Sequence, residues 1–106
     1  MADQVRASHI LLMYQGSMRS SATRSKDQAR TLIEDIKRQL ATGSDFGDLA
    51  RTHSDCPSGK EGGDLGNFGR GQMVKEFDTV AFGLPVNSVS DIVETPFGYH
   101  LIRRTA

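Results

Sequence analysis

Residues 62–71 read Gly-Gly-Asp-Leu-Gly-Asn-Phe-Gly-Arg-Gly, five glycines in ten positions, followed at once by Gln72-Met73. Glycine gives up more backbone freedom on folding than any other residue. Such density marks a place where the chain takes a positive φ or lets another backbone come close. Leu65 and Phe68, set between the glycines, make a short strand over residues 64–68. Residues 74–82 then carry Phe77, Val80 and Ala81 on one helical stripe until Leu84-Pro85 stops it. A constricted strand feeding a helix, with apolar side chains on both, is what this stretch predicts.

The remaining segments carry strand and helix signals of their own. Residues 5–13 hold Val5, Ala7, Ile10, Leu11, Leu12 and Met13 around a polar Ser8-His9 pair and read as a buried strand. Residues 14–23 are polar and read as a loop. Ser25-Lys26-Asp27-Gln28 fits a capping box, in which the Ser25 hydroxyl accepts from the Gln28 N–H and the Gln28 side chain reaches back. The helix that follows has Ala29, Leu32, Ile33, Ile36 and Leu40 at helical spacing and a left-handed stop at Gly43. Phe46, Leu49 and Ala50 repeat that spacing in a short second helix over residues 45–53, and residues 54–63, with Pro57 and several glycines, form a loop. Residues 88–94 and 99–103 read as two closing strands joined through Thr95-Pro96-Phe97-Gly98. The order predicts an α+β fold, with helices layered on a mostly antiparallel four-stranded sheet in one domain over residues 1–106. Periodicity leaves the strand order open.

Charge and cysteine content narrow the partners. Lys and Arg number 13, as do Asp and Glu, and no block of like charge offers a face to nucleic acid or an anionic bilayer. The first residues lack the apolar run of a signal peptide, and no later stretch approaches membrane-spanning length. Cys56 is the only cysteine, which leaves nothing for an internal disulfide and suits a reducing compartment. No close Cys/His spacing suggests a metal site. The expectation is a soluble, cytoplasmic monomer with no cofactor, no metal, no nucleic-acid partner and no membrane.

Five short motifs, in order, resemble the pattern of parvulin-type peptidyl-prolyl cis/trans isomerases. They are Ser8-His9-Ile10-Leu11, Ser54-Asp55-Cys56, the stretch from Gly62 to Phe68, Met73 with Phe77, and Phe97-Gly98-Tyr99-His100. The resemblance covers residues 5–104. It implies the parvulin βα3βαβ2 arrangement and rotation about the peptide bond before proline in client proteins. A non-catalytic proline-peptide-binding or chaperone module using the same groove is the alternative.

Such a rotation crosses a barrier of about 18–20 kcal/mol set by amide resonance, and it neither makes nor cuts a bond. It calls for an apolar socket, a low local dielectric and a few placed polar groups. The resemblance implies substrate contacts from Leu65, Phe68, Met73 and Phe77, with Thr95 and Phe97 from the closing turn. It places His9 and His100 side by side at the centre of the sheet, read as a bonded pair that holds the site in shape rather than as proton-transfer groups. Cys56 falls at the rim facing the substrate carbonyl, in a polar or steric role without covalent attack. Asp55 either shares that role or caps its loop. These four, His9, Asp55, Cys56 and His100, are the candidate catalytic residues, and His53, at a helix end, is read as a surface residue.

One departure from the family pattern bears on substrate choice. Parvulins that select a phosphorylated residue before proline carry a lysine just after the first-strand motif and arginines in the next loop. Here Met13 stands at the lysine position, and the loop over residues 15–24 is shorter, with Arg19 and Arg24 apart. Those two arginines, with Lys26 beside them in sequence, are the candidates to hold an anion; the other reading is a solvated loop. Isomerisation independent of phosphate is the expectation.

Overall fold

A computed structural model describes residues 4–18 and 20–106. In chain order they form β1 (Gln4–Leu12), α1 (Lys26–Ala41), α2 (Phe46–His53), a 3-10 turn (Pro57–Glu61), β2 (Asp64–Gly69), α3 (Lys75–Gly83), β3 (Val93–Thr95) and β4 (Gly98–Arg104). The sheet order is β2-β1-β4-β3, and every neighbouring pair is antiparallel. The 3-10 turn is the third helical piece between β1 and β2.

Helix α1 begins where the capping box places it. The Gln28 N–H donates to Ser25 Oγ at 3.1 Å, and the Ser25 N–H donates to Gln28 Oε1 at 2.7 Å. Its inward stripe of Ala29, Ile33 and Ile36 is fully buried, and Gly43 just beyond its end has a φ of 105°. Asp45 caps α2 by accepting from the Asp48 N–H at 3.0 Å.

Both faces of the sheet are covered, which explains why β1 is buried without a break from Ala7 to Leu12. Ile10 and Leu12 of β1, with Tyr99 and Leu101 of β4, pack under α1 and α2. On the opposite face Val5, Ala7 and Ile102 meet Phe77 and Ala81 of α3, together with Phe68 of β2. Ile10, Leu12, Ile33, Ile36 and Leu101 are among the fully buried side chains, each contributing about 1.5–3 kcal/mol through removal from water.

Two segments differ from their sequence reading. Strand β3 covers Val93–Thr95, and ahead of it the pairing with β4 resumes only as an isolated bridge from Val89 to Arg103, because Ser90 and Asp91 use their side chains on nearby backbone. Asp91 Oδ1 accepts from the Ile92 N–H at 2.8 Å, and the Ser90 hydroxyl donates to the Asp91 carbonyl at 2.7 Å while accepting from the Ile102 N–H at 3.0 Å. Within residues 54–63, Pro57 starts a 3-10 turn that Gly62, at φ 71°, ends.

Two glycines fix how tightly the layers close. A Cβ on Gly63 would lie 2.3 Å from the His9 carbonyl oxygen, and one on Gly98 would lie 2.3 Å from that of Leu12. Gly63 thereby lets its own carbonyl accept from the His9 N–H at 2.9 Å. No helix among the described residues is long and apolar enough to cross a membrane.

Candidate active site

Alternation along β1 sends Ala7, His9 and Leu11 to the α3 side of the sheet. There a cavity of about 300 Å³ opens. The sheet supplies His9, Leu11 and His100; β2 supplies Leu65; the approach to α3 and its first turn supply Met73, Val74 and Phe77; the β3–β4 turn supplies Phe97. Met13, Cys56 and Pro57 complete it. The volume is at the lower end for a ligand site and suits a proline ring with its flanking backbone.

Of the residues singled out in the sequence, the structure brings His9, Cys56, Leu65, Met73, Phe77, Phe97 and His100 into this one cavity. Phe68 lies behind it, buried, with its ring 6.0 Å from that of Phe77 and 6.0 Å from that of Phe82. It supports the wall rather than lining it. Thr95 is likewise buried away from the cavity, where it serves His100 instead of a substrate. Asp55 and Arg24 line a neighbouring cavity, and Arg19 lies outside the described residues. His53 ends α2 half-buried. Leu11, Pro57 and Val74 were not singled out. Leu11 had a signal in the sequence, since it follows His9 by two along a strand.

The two imidazoles form the polar part of the site. His9 Nδ1 and His100 Nδ1 are 3.1 Å apart, and His100 Nε2 is 2.7 Å from Thr95 Oγ1. Phe77 stands edge-on to both rings, with centroids at 5.5 and 5.6 Å. Burial pushes the pKa of His9 down to about 4, and burial together with the neighbouring His9 pushes that of His100 down to about 3. Both rings are therefore neutral at pH 7, and one Nδ1 must carry the proton that the other accepts. Thr95 Oγ1 accepts from the Phe97 N–H at 3.2 Å, so its own hydroxyl proton is free to go to His100 Nε2. With the hydroxyl proton placed there, the donors run Phe97, Thr95, His100, His9; His9 Nε2 is buried with no protein partner among the described residues. Leaving such a group unsatisfied costs about 1–3 kcal/mol, a strain found where function holds a polar group in place.

The Ser-Asp-Cys loop is fastened to β1 beyond the end of its pairing with β2. Ser54 Oγ accepts from the Leu11 N–H at 3.1 Å, the Asp55 N–H donates to the Leu11 carbonyl at 2.7 Å, and Asp55 Oδ2 accepts from the Met13 N–H at 2.8 Å. Of the two readings of Asp55, this is the loop-holding one. The half-buried Cys56 is thereby set against the cavity, its Sγ accepting from the Ser58 hydroxyl at 3.2 Å. No imidazole among the described residues bonds to that sulfur, so the arrangement lacks the base that an activated thiol requires. Among the described residues no three His, Cys, Asp or Glu side chains gather to hold a metal ion.

Comparison with known proteins places these features in context. The family model of the PPIC-type PPIASE domain matches residues 1–106. The peptidyl-prolyl cis-trans isomerase Pin1 of Digitalis lanata is 44% identical over 98% of this chain and 98% of its own. The structure of the peptidyl-prolyl isomerase ESS1 from Candida albicans superposes with a TM-score of 0.91 at 37% identity, covering 98% of this chain and 63% of that one. The solution structure of NmPin, the parvulin of Nitrosopumilus maritimus, gives a TM-score of 0.70 at 34% identity, over 100% of this chain and 99% of that one.

Proposed function

The chain belongs to the parvulin family of peptidyl-prolyl cis/trans isomerases, and from that premise we propose that it turns X–Pro bonds of flexible client segments in the cavity between β1, β4 and α3, without covalent chemistry and without needing a phosphate before the proline. The observation that carries this is the meeting of an apolar socket with a neutral, hydrogen-bonded imidazole pair.

The planar amide is stabilised by charge separation between its oxygen and nitrogen. The state halfway through rotation has lost that resonance and much of its dipole. Removing water from around the bond therefore favours the twisted state over the planar one, and Leu65, Met73, Phe77 and Phe97 do this while gripping the ring. Met73, unbranched and adaptable, follows the ring as it moves. His9 and His100 hold the floor of the socket; with pKa values of about 4 and 3 they are uncharged at neutral pH and do not serve as imidazolium acids. Cys56 contributes shape and a weakly polar edge. Assistance to folding or switching of client chains, as a cytoplasmic monomer, is the role that goes with such a site.

The test is isomerisation measured by exchange NMR across a library of X-Pro peptides at catalytic amounts of protein. Uncatalysed exchange takes tens to hundreds of seconds, so acceleration of Ala-Pro and Leu-Pro members is read directly. Binding of the peptides with no faster exchange would overturn the catalytic reading in favour of a holding module.

A further inference from the structure

Beside the socket lies a second cavity, of about 360 Å³, lined by Met13, Ser21, Ala22, Thr23, Arg24 and Asp55. Met13 borders both cavities, and Asp55 adjoins Cys56 in the chain. The two cavities thus adjoin at Met13, and a peptide with its proline in the socket can present a flanking side chain to the second one. Arg24 is the cation here, and its Nη1 is already engaged, 2.5 Å from Asp55 Oδ2 and donating to the Met13 carbonyl at 3.0 Å. Asp55 Oδ2 accepts from the Met13 N–H as well, so the ion pair is clamped to the backbone from both ends. Each side chain is only 29% exposed. Lys26, two residues further along the chain, is bound to Glu94 at 2.9 Å.

We propose that Asp55 determines which residue is accepted before the proline: its carboxylate neutralises Arg24, so the second cavity takes uncharged side chains and turns away acidic or phosphorylated ones. This rests on the isomerase reading of the adjoining socket. An incoming carboxylate or phosphate meets a guanidinium whose charge is already offset and whose Nη1 is taken, and it must settle within a few ångströms of the like charge of Asp55. An uncharged polar side chain meets neither obstacle and finds the Ser21 and Thr23 hydroxyls along the cavity. Discrimination of this kind comes from a repulsive group, not from a better contact to the preferred substrate.

The experiment compares kcat/KM, by exchange NMR, for peptides of one sequence that carry Gln, Glu, phosphoserine or Lys before proline. Wild-type protein is expected to handle the Gln-Pro peptide at least as well as Glu-Pro and phosphoserine-Pro. Asp55→Asn keeps an oxygen for the Met13 N–H and removes the charge, so the ratio of Glu-Pro to Gln-Pro should rise at least tenfold. Adding Arg24→Gln should return it to the wild-type value. Arg24→Gln alone, which leaves the Asp55 carboxylate unpaired, should instead raise Lys-Pro over Gln-Pro by a similar factor, and this arm stands even if Asp55→Asn does not fold. An unchanged Glu-Pro ratio in folded Asp55→Asn protein, or a gain that survives in the double variant, overturns the assignment to Asp55. Wild-type protein that accelerates no peptide at all overturns the isomerase reading itself, a result distinct from either.

Discussion

His9 and His100 meet diagonally across the sheet: His9 lies opposite Ile102 and His100 opposite Leu11, yet the two rings stack at 5.3 Å and join Nδ1 to Nδ1. Diagonal neighbours across an antiparallel pair stand far enough apart for side chains of this length to reach each other on one face. The pair is thus fixed by strand register, and a hydroxyl on the next strand bonds its outer nitrogen.

Replacing Thr95 by Val keeps its shape but removes the hydroxyl from His100 Nε2. The tautomer chain then loses its anchor, and a loss of about 1–3 kcal/mol in stability is expected. Nitrogen-15 shifts of the two imidazoles should show mixed tautomers in Thr95→Val and the single wild-type pattern in Thr95→Ser. Unchanged shifts in the valine variant would mean that the order of protons is set elsewhere.

Stability should depend on pH between about 3 and 6.5. Folding lowers the pKa of His9 to about 4 and of His100 to about 3, from an ordinary value near 6.5. As pH falls through 6.5 the unfolded chain takes up protons that the folded one refuses, so the stability present above that pH is lost progressively downwards. Each ring contributes at most about 1.4 kcal/mol per pH unit. Urea midpoints from pH 7.5 to 4.5 check this, and a flat profile would show that the rings are not held neutral by burial.

Met73 and Phe77 face the socket at different depths. Phe77 is 2% exposed and belongs to the core with Phe68, so Phe77→Ala should cost about 3–5 kcal/mol and confuse activity with folding. Met73 is only partly buried, and Met73→Ala should lower kcat/KM severalfold or more with the fold retained. Full activity in folded Met73→Ala protein would place the proline elsewhere.

Cys56→Ser should retain measurable isomerisation, and mass spectrometry of wild-type protein turning over a peptide should reveal no adduct. A trapped thioester, with activity lost in the serine variant, would overturn the non-covalent account.

Much of this architecture was legible in local patterns. The capping box of Ser25 and Gln28, the stripe of Ala29, Ile33 and Ile36, and the glycines before α3 each encode their own geometry within a few residues. The family motifs led to the residues that line the socket. What stayed hidden depends on groups distant in sequence. Arg24 and Asp55 are 31 residues apart, and nothing near either one announces that each is the other's partner. Thr95 and Phe68 sit beside the socket, one bonded to His100 and the other packed against Phe77, a difference that only the third dimension resolves. The break in the ladder between Val89 and β3 came from Ser90 and Asp91 competing for backbone, which strand periodicity does not weigh.

The two central strands write two messages in alternating letters. Along β1, positions 7, 9 and 11 face α3 and the socket, whereas 10 and 12 face α1 and α2; along β4, positions 100 and 102 take the first side, and 99 and 101 the second. Substitutions at one parity retune the site, and those at the other retune the foundation beneath it. A single inserted or deleted residue in either strand exchanges the two alphabets at once, turning histidines into the core and isoleucine or leucine into the socket. A change of length is therefore tolerated only in the connections, such as the segment between β1 and α1, where it leaves both messages readable.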